Sequence, residues 1–284
     1  SGTFNPNETT PQRGQAGGRR LEQLEATPGS IKPLIDNAMS QTFPPGSSFK
    51  IITAAAGMEH QELNSGSSVS AADLRLPESG TLLPDSHDTG NCGGSTTLRG
   101  AFAESCNTTF GRIAMEIGIE RLNQHASKWG FNKRVEIEPD LFAAESDVPV
   151  SVRNPETGEE IRTGQDGTAR SGIGQENVRA TPLQMAMVAQ AVANGGTMMK
   201  PYLVERVRDK DQSELYKADP EQFAKPIDGG TADQLEDMMR AVVTEGTATN
   251  LRQFGIAGKT GTAEQGDGNP NARWFVGFAP ANEP

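Results

Sequence analysis

The stretch FPPGSSFK, residues 43–50, places a serine and a lysine three positions apart directly after a Pro-Pro-Gly turn. In the sequence SFKIITAAAGMEHQEL, apolar residues recur at intervals of three and four, which predicts a helix starting near Ser47. Ser47 and Lys50 then share one helix face, so the amine can reach the hydroxyl. This spacing fits either an ordinary helix N-terminus or a nucleophile with its base, and the rest of the chain decides between them.

Length and charge restrict the classes of function that the chain can have. With 284 residues and 34% hydrophobic content, the chain can bury a substantial core as one large domain or two lobes. Its formal net charge is −11 and no basic run interrupts the acidic balance, which argues against nucleic acid or an anionic membrane surface as the main partner. The sequence has no apolar run long enough to span a bilayer and no signal-peptide pattern.

The cysteines and histidines limit the metal and redox chemistry. Cys92 and Cys106 are too few for a disulfide framework or a Cys-x-x-Cys metal site. They form either a single bridge, or a buried filler and a free loop thiol, and the sequence favours neither alternative. His60, His87 and His125 match no zinc-binding pattern, so we interpret them as surface or helix-packing residues. We predict no metal and no cofactor.

Glycine, proline and polar residues divide the chain into loops and regular elements. Residues 1–20 are predicted to be loop, and residues 64–97 a long irregular segment that lines a functional surface. Thr181 is predicted to cap a deeply buried helix that begins at Pro182. The other predicted elements are two helical segments within 98–118, a helix ending at Gly130, an extended segment 200–209, a helix over 232–245, and strands over 254–264 and 272–280.

A second motif, Lys259-Thr260-Gly261, lies on the first of the two late strands. Lys259, Thr260 and Thr262 offer a cation and hydroxyls for a carboxylate. Small residues at Gly258 and Gly261 would let another molecule's backbone lie close to the strand edge. An isolated triplet of this kind is more often a surface lysine on a glycine-softened strand, so the motif needs support from elsewhere in the chain.

Three short motifs, each occurring once, supply that support. Together they match the set of S-x-x-K, S-x-N and K-T-G found in β-lactamases and penicillin-binding proteins, which form an acyl-enzyme on the first serine. S-x-x-K alone is weak, whereas all three in this order are specific. The motifs are Ser47-x-x-Lys50, Ser105-Cys106-Asn107 and Lys259-Thr260-Gly261.

Longer stretches around these motifs resemble a known family. FPPGSSFK, the SCN triplet in an apolar helix, the run G-Q-x-x-x-x-x-T-P-L-Q-M-A at residues 174–186, and KTGTAE are similar to the transpeptidase domain of class B penicillin-binding proteins. Within that class the chain is most similar to the actinobacterial penicillin-binding protein A group. The resemblance covers residues from about Asn37 to Pro280.

The resemblance implies a fold of the α/β (α+β) class, a mainly antiparallel sheet flanked by helices plus a helical lobe, with the active site between them. It also implies that residues 1–284 are a single transpeptidase domain. Family members usually carry outer strands and a C-terminal helix, whereas this chain starts in loop and stops 22 residues after Thr262 (284 − 262). We therefore expect an excised part of a longer, extracytoplasmic, membrane-anchored protein that lacks its anchor, any pedestal domain, and the last strand and helix.

The motif residues suggest a mechanism. Our hypothesis is that Ser47 attacks the carbonyl between the two terminal D-alanines of a peptidoglycan stem peptide, with a neutral Lys50 as its base. Ser105 passes a proton to the leaving amine, and the amide of Asn107 holds both Lys50 and a substrate carbonyl. Lys259 lowers the pKa of Lys50 by its charge and, with Thr260, Gly261 and Thr262, forms the site for the substrate carboxylate. The resemblance further implies an oxyanion site made by the backbone N–H groups of Ser47 and Thr262.

Several activities share these motifs. Transfer of the acyl group to an amine gives a transpeptidase, and transfer to water gives a D,D-carboxypeptidase or a β-lactamase; a domain that acylates without turnover is a β-lactam receptor. A β-lactamase would need a deacylating glutamate, and none of the candidates by position is marked, so we prefer transpeptidation. Those candidates are Glu145, Glu156, Glu159 and Glu160. The partners we expect are stem peptides, β-lactams and the cell-division or elongation (cell-shape) machinery, but not nucleic acid.

Overall fold

The structure is a computed structural model, and it describes residues 5–10, 14–26, 34–85, 92–264 and 270–282. Its α helices in this part of the chain are α1 Gly14–Glu25, α2 Lys50–Gln61, α3 Leu98–Ala103, α4 Asn107–Ile117, α5 Ile119–Lys128, α6 Gln165–Ser171, α7 Pro182–Ala193 and α8 Gly229–Thr244. Short 3-10 helices occupy Pro6–Glu8, Gly46–Phe49 and Thr249–Phe254.

The strands of the described residues pair only in antiparallel ladders of two. They are β1 Ser68–Ser70, β2 Leu74–Arg75, β3 Leu82–Leu83, β4 Ser95–Thr97, β5 Glu136–Glu138, β6 Leu141–Phe142, β7 Ser151–Arg153, β8 Glu160–Arg162, β9 Met198–Met199, β10 Arg206–Arg208, β11 Glu214–Lys217, β12 Gln222–Ala224, β13 Ala257–Ala263 and β14 Ala272–Phe278. The pairs are β1–β4, β2–β3, β5–β6, β7–β8, β9–β12, β10–β11 and β13–β14. The predicted class, antiparallel strands flanked by helices, is confirmed, with the sheet divided into short ladders.

Helix α2 is the central element of the core. Every side chain from Lys50 to Met58 is buried, because alanine, isoleucine and threonine leave no face for solvent. The helix packs against α4, α5 and α8. It ends where Glu62 adopts a left-handed backbone with φ of 55° and its N–H bonds the Gly57 carbonyl. The lysine that begins this apolar helix is therefore drawn into the protein interior.

The β13–β14 hairpin lies over the helices and touches the start of α2. It packs on α7 and α8, and β13 also contacts the Gly46–Phe49 turn. The helix predicted after Thr181 is confirmed: the Thr181 side chain accepts from the Gln184 N–H, and Pro182 is the first helical residue. In the described part of the chain, no helix has both the length and the apolar composition needed to cross a membrane.

Two predictions about loops need correction. Residues 14–20 belong to helix α1 instead of a loop, because the glycines at its start are followed by RRLEQLE, a run of good helix formers, and Leu24 is buried. The segment 64–97 is less irregular than predicted, since it contains the ladders β1–β4 and β2–β3. His87, predicted to be a surface or packing residue, lies outside the described residues.

The other two histidines are helix-packing residues, as predicted. His125 is fully buried, accepts a hydrogen bond from Trp129 Nε1 at 3.2 Å, and has Nδ1 3.2 Å from Glu59 Oε2. The His60 ring packs edge-on against the His125 ring, and the two ring centroids are 5.8 Å apart. Burial lowers the pKa of His125 to about 4, and the Glu59 carboxylate opposes that shift only in part. The folded protein thus keeps His125 neutral where an exposed histidine would be charged.

We expect the protein to lose stability as the pH falls from about 6.5 towards 4, because the unfolded chain binds a proton on His125 that the folded protein excludes. His125→Gln keeps an acceptor for Trp129 but cannot be protonated. Its free energy of unfolding should therefore fall less over that window, by about 2–3 kcal/mol. Urea titrations across the window measure this difference. His60→Gln is the matched control, and an equal effect from it would contradict the assignment to His125.

Candidate active site

The predicted nucleophile lies in a tight turn ahead of α2. Ser47 is on the Gly46–Phe49 helix and is 9% exposed. Ser48 Oγ donates to the Pro45 carbonyl at 2.7 Å, and Trp274 Nε1 on β14 donates to the Pro44 carbonyl at 2.9 Å. The Pro45 carbonyl is thus bound from within the turn and the Pro44 carbonyl from the hairpin. These two hydrogen bonds hold the turn in place and with it the position of Ser47.

Glycine is required at two positions beside Ser47. Gly46 has φ of 53°, and a Cβ added there would lie 2.5 Å from the Thr262 carbonyl oxygen. A Cβ on Gly174, whose φ is 72°, would lie 2.2 Å from the Gly46 carbonyl oxygen. Gly46 N–H also donates to the Gly174 carbonyl at 2.9 Å. The turn is thus held between strand β13 on one side and the Gly174 segment on the other.

Lys50 is completely buried and ends on the second motif. Its Nζ donates to Ser105 O at 2.7 Å, to Ser105 Oγ at 3.2 Å and to Asn107 Oδ1 at 2.7 Å. Nζ also lies 5.5 Å from the centre of the Phe110 ring. Among the described residues, Lys50 Nζ makes these three hydrogen bonds and none to Ser47. The structure therefore joins the first two motifs through the lysine, whose partners are all acceptors.

Lys259 approaches the same serine from the strand. It is also fully buried, and its Nζ donates to Ser105 Oγ at 2.9 Å and to Thr260 O at 3.2 Å. The Phe102 ring centre lies 5.6 Å from Nζ. Ser105 Oγ is thus the point at which two lysines, 209 positions apart in the sequence (259 − 50), meet.

Burial disfavours the charged forms of both lysines. Burial and then the charge of Lys259 lower the pKa of Lys50 well below its ordinary value, while the Asp85 carboxylate opposes the shift. Burial lowers the pKa of Lys259 to about 7. The shift of Lys50 favours its free amine, in the direction that the mechanism requires.

Ser105 is held in a strained backbone conformation. It follows α3 with φ of 64°, which is unusual for a residue other than glycine. Ser105 N–H bonds Phe102 O at 3.2 Å, and Cys106 N–H bonds Ala101 O at 2.9 Å, which closes the end of the helix. This conformation lets the carbonyl and the hydroxyl of one residue both reach Lys50.

The contacts of Asn107 connect Lys50 to the segment that ends at Asp85. Its Oδ1 accepts from Lys50, and its Nδ2 donates to the Pro84 carbonyl at 2.6 Å. An amide NH2 group carries two N–H donors, so a hydrogen bond from Asn107 to a substrate carbonyl stays a prediction.

Asp85 is a site residue that the sequence did not reveal. Its carboxylate accepts from the N–H groups of Asn107 and Thr108, the latter at 3.1 Å, and from Thr108 Oγ1 at 3.1 Å. It therefore caps the N-terminus of α4 and supports Asn107 from behind. Because Asp85 is 22 residues before Asn107, no local capping pattern in the sequence could have found it.

Gly258 and Gly261 make room for atoms of the protein itself, and their predicted role in letting another molecule's backbone lie close to the strand edge stays a prediction. A Cβ on Gly261 would lie 2.8 Å from Pro45 O, and one on Gly258 would lie 2.4 Å from Phe275 Cζ. Thr260 Oγ1 lies 2.6 Å from Thr247 Oγ1, a residue that sequence reasoning missed. The motif thus brings its strand against the nucleophile turn.

A cleft of about 660 Å³ opens over these groups. Besides Asp85, its lining includes two further acidic residues and one arginine that the sequence did not single out: Glu176, Glu264 and Arg170. The glutamates considered for deacylation lie elsewhere, since none of Glu145, Glu156, Glu159 or Glu160 is among its lining residues. The predicted site residues that line the cleft are Ser47, Ser105, Asn107, Thr260, Gly261 and Thr262, while Lys50 and Lys259 are buried behind Ser105.

Comparisons with known proteins agree with the resemblance carried by the three motifs. A family model described as the penicillin binding protein transpeptidase domain matches residues 2–284. The chain belongs to this family.

Individual relatives and a solved structure agree with the family assignment. PbpA of Mycolicibacterium smegmatis, a peptidoglycan D,D-transpeptidase, is 35% identical over 270 residues, which cover 93% of this chain and 52% of the relative. Stage V sporulation protein D of Bacillus subtilis is 30% identical, over 90% of this chain and 39% of that protein. The crystal structure of PBPA from Mycobacterium tuberculosis superposes with a TM-score of 0.82 at 29% identity, covering 100% of this chain and 62% of that one. The chain spans about half the length of the PbpA relatives.

The second motif of this family member carries a disulfide. Cys92 and Cys106 are bonded, with Cα atoms 5.4 Å apart, so of the two alternatives left open by the sequence the structure has the bridge. Cys106 lies between Ser105 and Asn107, and its bond ties the chain before β4 to the junction of α3 and α4. The bridge constrains the unfolded chain and thereby stabilises this junction.

The pKa of Lys259 predicts a pH dependence of stability. Between about pH 7 and 10 the unfolded chain holds a proton on this lysine that the folded protein has lost, so the free energy of unfolding should rise with pH. Lys259→Met should reduce that slope by up to about 1.4 kcal/mol per pH unit. Chemical denaturation at several pH values measures it. Lys210→Met, at an exposed position, is the control, and an unchanged slope in Lys259→Met would contradict the assignment.

Proposed function

We propose that the chain is a serine D,D-transpeptidase domain that cross-links peptidoglycan stem peptides through an acyl-enzyme on Ser47 and that β-lactams acylate at the same residue. The observation that carries the proposal is the convergence of Lys50 and Lys259 on Ser105 behind the cleft onto which Ser47 opens. Similarity to proteins named peptidoglycan D,D-transpeptidase supports it, as does similarity to a penicillin G acyl-enzyme of PBPA from Mycobacterium tuberculosis, with a TM-score of 0.81 and 29% identity.

In the first half-reaction, neutral Lys50 takes the proton of Ser47 as the Oγ attacks the carbonyl carbon of the donor peptide. The tetrahedral oxyanion is stabilised by the backbone N–H groups of Ser47 and Thr262. The close approach of Gly46 to the Thr262 backbone supports this pairing, because it brings the two segments together. The C–N bond then breaks, and the leaving D-alanine amine takes its proton from Lys50 through Ser105 Oγ.

The substrate's terminal carboxylate is held on the strand. Lys259 supplies the positive charge, and Thr260 and Thr262 supply hydroxyls beside the Gly261 backbone. The Thr260 hydroxyl is oriented by its 2.6 Å contact with Thr247 Oγ1. A protonated Lys259 is required for this step, whereas Lys50 must be neutral.

In the second half-reaction an amine attacks the acyl carbon, the new C–N bond forms, the bond to Ser47 Oγ breaks, and the amine's proton returns to Ser47 through Lys50. Hydrolysis by a D,D-carboxypeptidase or a β-lactamase, and a receptor that never turns over, remain the alternatives. The four glutamates considered for the β-lactamase alternative are not among the residues that line the cleft.

We further propose that residues 1–284 work as a single domain of a longer, membrane-anchored, extracytoplasmic protein that acts with the cell-division or elongation machinery. The disulfide supports an oxidising compartment. The greater length of the PbpA relatives supports a longer protein.

Intact-mass measurement with a penicillin tests the nucleophile. We expect one penicillin to add covalently to the wild type and none to Ser47→Ala. Ser48→Ala is the matched control, because it removes the adjacent buried serine, whose Oγ donates to the Pro45 carbonyl within the turn, and it should still add one penicillin. Acylation of Ser47→Ala, or none of the wild type, would refute the proposal. Rapid loss of the adduct with drug hydrolysis would favour the β-lactamase.

The opposite protonation states of the two lysines predict a bell-shaped profile. The second-order rate constant of acylation should rise as Lys50 loses its proton, at a pH well below its ordinary pKa, and fall as Lys259 loses its proton near pH 7. Stopped-flow acylation across pH gives both limbs. Lys259→Arg stays charged, so its falling limb should move to higher pH, and an unmoved limb would exclude Lys259 as its origin.

A further inference from the structure

The part of the cleft lining contributed by α6 and the turn after it carries a pair of opposite charges. Arg170, on α6, and Glu176 both line the cleft, and Arg170 Nη1 lies 3.7 Å from Glu176 Oε2. The side chains are 41% and 32% exposed. A single long contact between exposed charges contributes little to stability, so the pair can exchange its mutual contact for contacts with a ligand.

The backbone that carries the pair is hydrogen-bonded to the turn that carries Ser47. The Arg170 carbonyl accepts from Ile173 N–H at 3.1 Å and from Gln175 N–H at 3.0 Å, which closes the chain back on α6. Within this turn, Gly174 accepts from the N–H of Gly46, the residue before Ser47, at 2.9 Å. Sites mounted in this way on hydrogen-bonded elements hold charges at a defined distance from the reacting atom.

Glu176 has a backbone that glycine would adopt more easily. Its φ is 59°, in the left-handed region, and its carboxyl carbon lies 3.9 Å from where a Gly167 Cβ would be, so the side chain lies along α6. Strain of this kind at a cleft-lining residue points to a function for the side chain that outweighs the cost.

The chemistry of the cleft assigns this part of the lining to one half of the substrate. The leaving half carries the carboxylate, which the proposed mechanism binds at Lys259, Thr260 and Thr262. By microscopic reversibility the acceptor amine occupies the place of the leaving amine. The acyl half of the donor, on the other side of the scissile bond, therefore extends from Ser47 away from that carboxylate site, and the charged groups of α6 and the turn after it line the same cleft.

Resting on the proposed function, we propose that Arg170 and Glu176 are specificity residues that bind a charged or dipolar group on the acyl half of the donor. Glu176 accepts hydrogen bonds from an ammonium, and the guanidinium of Arg170 binds a carboxylate. A donor peptide whose side chain ends in an amino-acid group, with both charges, would use both residues. The other acids of the cleft are less suited: Asp85 is occupied by the α4 N-terminus, and Glu264 follows the strand that binds the leaving half.

Three penicillins that differ at one carbon of the acyl side chain test the proposal on the 284-residue chain. Ampicillin carries an ammonium there, benzylpenicillin a hydrogen and carbenicillin a carboxylate. The quantity measured is the second-order rate constant of acylation, at a pH below the pKa of the ampicillin amine. We expect Glu176→Gln to lower the rate with ampicillin relative to benzylpenicillin roughly twofold to fivefold. Arg170→Gln should lower the rate with carbenicillin in the same manner.

Two further variants separate recognition from structure. Glu176→Gly removes the carboxylate but relieves the left-handed backbone, so it should show the same loss of preference with an equal or higher Tm. Glu264→Gln removes the same charge from another part of the cleft lining and should leave the ampicillin-to-benzylpenicillin ratio unchanged.

Each other outcome overturns the inference. An equal loss with all three penicillins in Glu176→Gln would make the residue structural, and an equal change of ratio in Glu264→Gln would reduce the effect to the general field of the cleft. Unchanged ratios in both Glu176→Gln and Arg170→Gln would remove the pair from recognition. Absence of acylation of the wild type by benzylpenicillin is a different result, because it refutes the proposed function itself.

Discussion

Two lysines buried against one serine hydroxyl are the constraint on which the rest of the structure depends. Lys50 and Lys259 have no exposed surface, and both donate to Ser105 Oγ. Burying two cations close together is strongly unfavourable unless each finds acceptors and at least one gives up its charge. Besides Ser105 Oγ, the acceptors are Ser105 O and Asn107 Oδ1, both at the α3–α4 junction, and Thr260 O on strand β13. Helix α2, the α3–α4 junction and strand β13 therefore have to meet at one point.

The secondary features of the junction serve the same end. Ser105 adopts a left-handed backbone, Asp85 caps α4, and the bridge of Cys106 restrains the residue between Ser105 and Asn107. Each of these restricts where Ser105 Oγ can lie. Ser105 Oγ lies between the amines of Lys50 and Lys259, neither of which holds its proton strongly. The hydroxyl is therefore suited to proton relay, because the movement of one proton changes which lysine is neutral. The strain and the chemistry are thus found in the same residues.

The sequence could predict those parts of the site that depend on residues close together along the chain. A serine and lysine one turn apart, a threonine cap followed by proline, and a lysine on a strand are all set by spacing along the chain, and the structure places them as helix start, capped α7 and hairpin. Asp85, Thr247 and Glu176 could not be found in this way, because each becomes a site residue only through contacts with segments distant in the sequence. The same applies to Gly46 and Gly174, whose need for glycine arises from each other's backbone. Residues 14–20 are helical although their glycine content predicts a loop, because the helix formers that follow outweigh the glycines.

The lining of the cleft consequently has two parts of different origin. The strand wall and the floor behind Ser47 are built from motif residues, and their geometry follows from satisfying the two buried lysines. The part from α6 and the turn after it is attached to the same turn through the Gly46–Gly174 hydrogen bond, yet no buried charge dictates what Arg170 and Glu176 must be. Side chains there can differ without disturbing the proton relay, since they contact solvent and each other. Reaction type is therefore fixed by the interior of the protein, whereas the choice of donor can be set by the rim.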